Sequence, residues 1–178
     1  MKINSGSQPV EEGKSSEDEL AGLYREYYDK IARYACVHIG NRADAEDIAG
    51  EVFLKAIESL KSYEKRGIPM QAWLFKIAHN LVVDYLRKMS KRKTVDIDNI
   101  TIRSDDRPET IAEVNIEIER TKKAMQQLTR DQREVLSLRF FGELTSKETA
   151  SLMGKSDGSV REMQRAAISR LRSLLIED

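Results

Sequence analysis

Apolar side chains along this chain recur three and four residues apart and rarely alternate with polar ones, the period of helices and not of strands. The first stripe is Leu20, Leu23, Tyr24, Tyr27, Ile31, Tyr34 and Ala35. Ser16 with Glu19 reads as a capping box in front of it, and Gly40 as its stop. Asn41 is placed to cap a second helix, whose stripe is Ala45, Ile48, Ala49, Val52, Phe53, Ala56, Ile57 and Leu60. The segment KSYEKRGIP that follows is a basic loop, with Gly67 and Pro69 as breakers. A third helix is predicted from about Met70 to Met89, on which Leu74, Ala78, Leu81 and Tyr85 make the buried stripe.

Periodicity is then lost from Ser90 to about Pro108 and resumes near Glu109, with helix to Gln127. Thr129 with Gln132 forms a second capping box, ahead of Val135, Leu136, Leu138 and Phe141, and Gly142 ends that helix. Thr145 with Glu148 forms a third, opening a short helix to Met153. Gly154-Lys155-Ser156 makes a tight turn, and a last helix runs from about Asp157 to Leu175. Only three Pro and nine Gly interrupt the 178 residues, enough for one ordinary domain or two small ones. The pattern predicts an all-α protein of two small helical domains: a disordered tail over 1–17, a domain over 18–90, a flexible acidic linker over 91–112 and a domain over 113–178.

Formal net charge is zero, which excludes a generic polycation, but the zero averages opposed segments. Nine Lys/Arg face two Asp/Glu from Lys61 to Lys93, whereas Asn41–Glu58 and Thr94–Glu119 are acidic. Such segregation suits different surfaces for different partners. Cys36 is the lone cysteine, so no intrachain disulfide forms and a reducing compartment is expected. No run approaches the roughly 18 apolar residues of a membrane span, and the polar N-terminus has no signal-peptide core. A cytoplasmic protein without direct membrane insertion is expected.

The strongest local signal is the helix-turn-helix around Thr145–Arg170. Such a motif needs a small residue where two helices cross, a residue tolerant of positive φ in the turn, and apolar residues that lock the second helix. Ala150, Gly154, Val160 and Met163 stand at those places. On the last helix Val160, Met163, Ala167, Leu171 and Leu174 share one side, and Arg161, Arg165, Ser169 and Arg172 another, with Glu162 beside them. Arg near the start of such a helix reaches guanine edges in the major groove or neutralises phosphate. Arg172 lies too far along to match Arg161 and Arg165 in this.

The pair DAEDIAGEVFLKAI (44–57) and GIPMQAWLFKIAHNLVVDYLRK (67–88), ahead of a C-terminal helix-turn-helix, resembles the sigma-70 family, specifically its extracytoplasmic-function (ECF) group. The resemblance runs from about Leu20 to Leu175. It implies sigma region 2 in the first domain and region 4 in the second, and a factor that binds RNA polymerase core, directs it to promoters and promotes melting. The first segment then docks on the clamp helices of the polymerase's largest subunit. Asp44, Glu46, Asp47 and Glu51 make an acidic edge suited to a basic protein partner, with Phe53 and Leu54 beside it, although Phe53 also belongs to the core stripe. Gly50 stands where the family often has Gln.

The second segment resembles the promoter-melting element. Trp73, Lys76, Asn80, Asp84 and Arg87 line one stripe of the third helix, an arrangement of indole, amide and cations that suits a single-stranded base and its phosphates. Trp73 is equally readable as a core wedge. The resemblance implies −10 contacts from Tyr63, Lys65 and Arg66 in the loop, which would hold an extruded base, and from Trp73, Lys76, His79, Asn80 and Arg87. His79 stands where the family often has Arg. It implies −35 contacts from Ser159, Arg161, Glu162 and Arg165. The acidic linker, with Asp96, Asp98, Asp105 and Asp106, would thread towards the polymerase cleft. A cognate anti-sigma factor is a further expected partner.

No phosphate-binding Gly loop, metal-ligand cluster or nucleophile–base pair is evident, so no enzyme activity, cofactor or metal is expected, His38 and Cys36 included. The alternative reading is a helix-turn-helix regulator that binds duplex operator DNA as a dimer without polymerase. No heptad seam supports it.

Overall fold

The computed structural model describes residues 16–60, 63, 68–93, 120–121 and 123–176. Three helices build the first module: α1 (Ser16–Ile39), α2 (Arg42–Ser59) and α3 (Met70–Lys93). The second holds α4 (residues 120–121 and 123–126), α5 (Arg130–Phe140), α6 (Ser146–Met153) and α7 (Asp157–Ile176). No strand occurs among the described residues. The expected tail, the acidic linker with its four Asp, and Lys65 and Arg66 lie outside the described residues.

The predicted caps explain where several helices begin and end. Gly40 takes φ +78° after α1, and Asn41 Oδ1 accepts the Asp44 amide at 3.0 Å to open α2. Thr129/Gln132 and Thr145/Glu148 are both complete capping boxes. α3 continues to Lys93, four residues past its expected end, because loss of apolar periodicity does not stop a helix made of Lys, Arg, Met and Ser.

In the first module Ile31, Tyr34, Val52, Leu74 and Phe75 are fully buried. Tyr34 and Tyr27 meet Phe75 edge-on, with ring centroids 5.6 Å and 6.1 Å away. Tyr24, assigned to the buried stripe by its spacing, is half exposed and lies over Phe53. In the second module Val135, Ala150 and Val160 pack together where α5, α6 and α7 meet.

The two modules are packed against each other. Leu138 of α5 and Leu144, just before α6, are buried in the same core as α1–α3. Val37 of α1 packs in turn on Met125, Leu128, Leu136 and Ala167. Period alone assigned Leu138 to its own module, and it could not show that this side chain also serves the other.

Candidate polymerase and nucleic-acid surfaces

On α2 the acidic residues lie beside exposed apolar ones. Leu54 and Ile57 are 63% and 62% exposed, whereas Phe53 is 4% exposed and sits against the Tyr24 and Tyr28 rings. Phe53 is therefore core, and Leu54 and Ile57 are apolar side chains a partner can reach. Asp47 is exposed. Glu46 accepts from Arg42 at 2.8 Å, and Glu51 pairs with Lys55 at 3.5 Å. Asp44 accepts the Tyr85 hydroxyl at 2.5 Å, which ties the start of α2 to α3. Burial, then that carboxylate, raises the Tyr85 phenol to about 12.

On α3, Lys76, Asn80 and Arg87 are exposed, and Asn80 lines a groove between α2 and α3 together with Glu51, Lys55, Asp84 and Lys88. Arg87 pairs with Asp84 at 2.9 Å. Trp73 is half-buried against the core, its ring 4.7 Å from that of Tyr63, whose hydroxyl donates to the Ile68 carbonyl at 2.9 Å. The indole is thus packed yet open on one side. Phe75 and Val82 complete the buried face, a pair not singled out by the sequence.

On α7 the apolar side is inward, with Val160 and Ala167 buried, and Ser159, Arg161, Glu162 and Arg165 are all exposed. Arg161 pairs with Asp157 one turn earlier, and Arg165 with Glu162 at 3.2 Å. Gly154, at φ +64°, makes the turn that sets α7 across α6.

His79 departs from the rest of its stripe. Its Nδ1 lies 2.8 Å from Glu134 Oε1 on α5, so in this arrangement the ring faces the second module and not the Asn80 groove. The Tyr34 hydroxyl donates to the same Glu134 oxygen at 2.7 Å, and His38 Nε2 lies 3.3 Å from the other oxygen without a hydrogen bond. Burial pushes the His38 imidazole down to about 4, so it is neutral. Burial works to raise Glu134, but the His79 hydrogen bond, the two imidazoles and the Tyr34 hydroxyl outweigh it, and the carboxyl is held below its usual range. Sequence reasoning missed this cluster, considering His38 only as a metal ligand. The signal was available: His38 continues the Ile31–Tyr34 face, and Glu134 stands one turn before Leu138.

The geometry agrees with what the comparisons find. The family description "Sigma-70 region 2" fits residues 23–92, and "Sigma-70, region 4" fits residues 124–173. The ECF RNA polymerase sigma factor ShbA of Streptomyces griseus is 37% identical over 134 residues, covering 72% of this chain and 70% of ShbA. This chain belongs to the ECF sigma factors. BldN of Streptomyces coelicolor, an ECF RNA polymerase sigma factor too, is 31% identical over 172 residues, or 95% of this chain; the chain spans 65% of BldN. Two solved structures share the fold at 22% identity. RpoE, in complex with the anti-sigma factor NepR from Bartonella quintana, has a TM-score of 0.75 over 90% of this chain and 98% of RpoE. CnrH, in complex with the cytosolic domain of CnrY, has 0.68 over 93% and 92%.

The region 2 match thus covers most of α1 and nearly all the rest of the first module, and the region 4 match covers the helix-turn-helix. The matched families are those of transcription initiation factors, not of enzymes. As a sigma factor the protein serves RNA polymerase in promoter-directed initiation. The operator-binding regulator reading has no place for region 2.

Proposed function

We propose that this ECF sigma factor divides promoter recognition among the three surfaces described, acts in the cytoplasm and has no catalytic site of its own. Asp44, Glu46, Asp47 and Glu51 with the exposed Leu54 dock on basic clamp helices of the polymerase's largest subunit. Lys76, Asn80 and Arg87, with Trp73 and Tyr63 and the loop cations Lys65 and Arg66, hold the single-stranded −10 element. Ser159, Arg161, Glu162 and Arg165 read the −35 duplex from the major groove. Stacking of an unpaired base on an aromatic ring is worth roughly 1–3 kcal/mol, enough to offset about 1.4 kcal/mol of lost stacking per base-pair step.

The observation that carries this reading is the separation of opposed chemistry on one chain: an acidic, apolar-tipped edge on α2, and exposed cations and an amide on α3 and α7. Because RpoE and CnrH are each similar in fold and were solved with NepR and CnrY, we include an anti-sigma factor among the partners. Among the described residues no helix is long and apolar enough to cross a membrane. Run-off transcription with purified core over a genomic promoter library tests the reading, and defined starts that depend on this chain are the expected result. Absence of any defined start overturns it. A strong sequence-specific shift of duplex DNA by the isolated chain would favour the regulator instead.

A further inference from the structure

We propose that Asp157, the first residue of α7, is a positioning residue for −35 recognition: it holds the Arg161 guanidinium for the edge of a guanine and keeps it off the phosphate backbone. The inference rests on the promoter-reading function above. It adds the base that Arg161 takes and the residue that aims it.

The helix does not need Asp157 for its own start. Ser156 already caps α7, its Oγ accepting the Ser159 amide at 3.1 Å. An exposed acid–arginine pair one turn apart also adds little to stability. Yet Arg161 Nη2 donates to Asp157 Oδ2, and the two side chains are unequal partners: Arg161 is 64% exposed and Asp157 28%. The other carboxylate oxygen, Oδ1, is closed off from solvent. The Ser146 hydroxyl at the start of α6, then the charges of Arg161 and Lys147, outweigh desolvation and hold the carboxyl below its usual range. Asp157 is thus an anion with one oxygen on Arg161 and the other covered, so it does not itself reach out to DNA. Glu162 differs. It is 74% exposed, and its pair with the equally exposed Arg165 is free to part.

Entropy and charge decide what this does to Arg161. A base contact must remove the rotamer freedom of a loose arginine, and an arginine already tied at one nitrogen has less to lose. With one Nη2 hydrogen on Asp157, the rest of the guanidinium fork is left for O6 and N7, the two major-groove acceptors of guanine. A phosphate also accepts hydrogen bonds, but it is an anion, and the Asp157 carboxylate beside the guanidinium weakens that attraction.

The rest of the helix start agrees. Over residues 157–165 two acids balance two Arg, so this surface gains little from releasing counterions and depends on base edges. Gly158 is exposed, a Cβ there meets nothing within 4 Å, and no positive φ calls for glycine. Its bare backbone leaves room for α7 to approach the groove closely.

The test uses the full chain with polymerase core on templates that share one −10 region and carry a randomised −35 element, each with a barcode read in the transcript. The parent should prefer guanine at one base pair, and Arg161→Ala should flatten that preference. Asp157→Asn and Asp157→Ser remove the charge from a helix start that Ser156 caps. Each should lower the same preference about three- to tenfold and leave the other positions within about twofold. Templates with another base at that pair should gain, as the freed Arg161 turns to phosphate. In an Arg161→Ala background the same substitutions should change no preference. Circular dichroism checks that each variant is folded. Loss spread equally over all positions, or a shift at that pair that persists without Arg161, overturns the proposal. An unchanged preference in both folded variants does so too, as does an Arg161→Ala variant that flattens no guanine. If the parent starts transcripts but selects no −35 sequence, the −35 reading itself fails, and this inference with it.

Discussion

His79 of α3 and Glu134 of α5 meet at 2.8 Å across the boundary between the two modules, 55 residues apart in the chain. The pair joins one helix from each module. It also places His79, which by resemblance stands at a phosphate-contacting position, against a carboxylate of its own chain. A nucleic-acid phosphate and the Glu134 carboxylate are both anions with oxygen acceptors, so the same imidazole suits either.

Stability should fall as the solution is acidified. His38 is held neutral in the fold, at about 4 against 6.5 when free, so the unfolded chain binds the proton first. Stability is full above pH 6.5 and is lost as pH falls towards 4. The loss from this group is about 2 kcal/mol at pH 5. Glu134, also held below its free value, acts in the same direction at lower pH. Urea midpoints measured from pH 7 to pH 5 should drop, and His38→Leu should remove most of that slope. A slope equal in both proteins would assign the loss elsewhere.

Two neighbours on α2 should separate folding from polymerase binding. Phe53→Ala empties a core position against Tyr24 and Tyr28, and should cost about 3–5 kcal/mol of stability. Leu54→Ser alters an exposed side chain and should change stability by less than about 0.5 kcal/mol. Affinity for core, measured by competition for polymerase, should fall at least about tenfold for Leu54→Ser. Unchanged affinity would remove Leu54 from the docking surface.

Within each module the sequence was readable because local rules were sufficient. Caps at Asn41, Thr129 and Thr145 and the stop at Gly154 are short-range chemistry, and each recurs in the structure. The outward side of α7 followed from its period. Period could not say which module a face serves: Leu138, Glu134 and His38 all stand on faces that read as ordinary core or surface, and their meeting depends on the packing of α1 against α5. The same limit applies to His79, which its period groups with Lys76 and Asn80 but whose ring turns to the other module.

Glycines show the contrast between space and conformation. A Cβ at Gly142 would lie 2.6 Å from the Leu138 carbonyl oxygen, so Gly142→Ala should destabilise by about 1–3 kcal/mol. At Gly50, inside α2, a Cβ meets nothing within 4 Å, and Gly50→Ala should stabilise by roughly 0.5–1 kcal/mol. Thermal unfolding of the two variants beside the parent checks both signs at once.

The two proposed DNA surfaces should fail independently. Arg161 and Arg165 lie exposed on the first turns of α7, and neither touches the α2–α3 groove, while Asn80 lies in that groove. If each Arg makes a bidentate contact with guanine, its replacement by Ala costs about 1–3 kcal/mol, or roughly five- to 150-fold in use of a promoter with an intact −35 element. Transcription from a template already opened over the −10 region should be largely spared, because the proposed function gives strand capture to α3 and not to α7. Asn80→Ala should behave in the opposite way, weakening capture of the opened strand by about tenfold while leaving −35 dependence as it was. Each variant is therefore assayed on duplex, −35-deleted and pre-opened templates with the same core. Equal loss on all three templates would mean that the substitution acts on folding or core binding, and the assignment of that residue to one promoter element would be withdrawn.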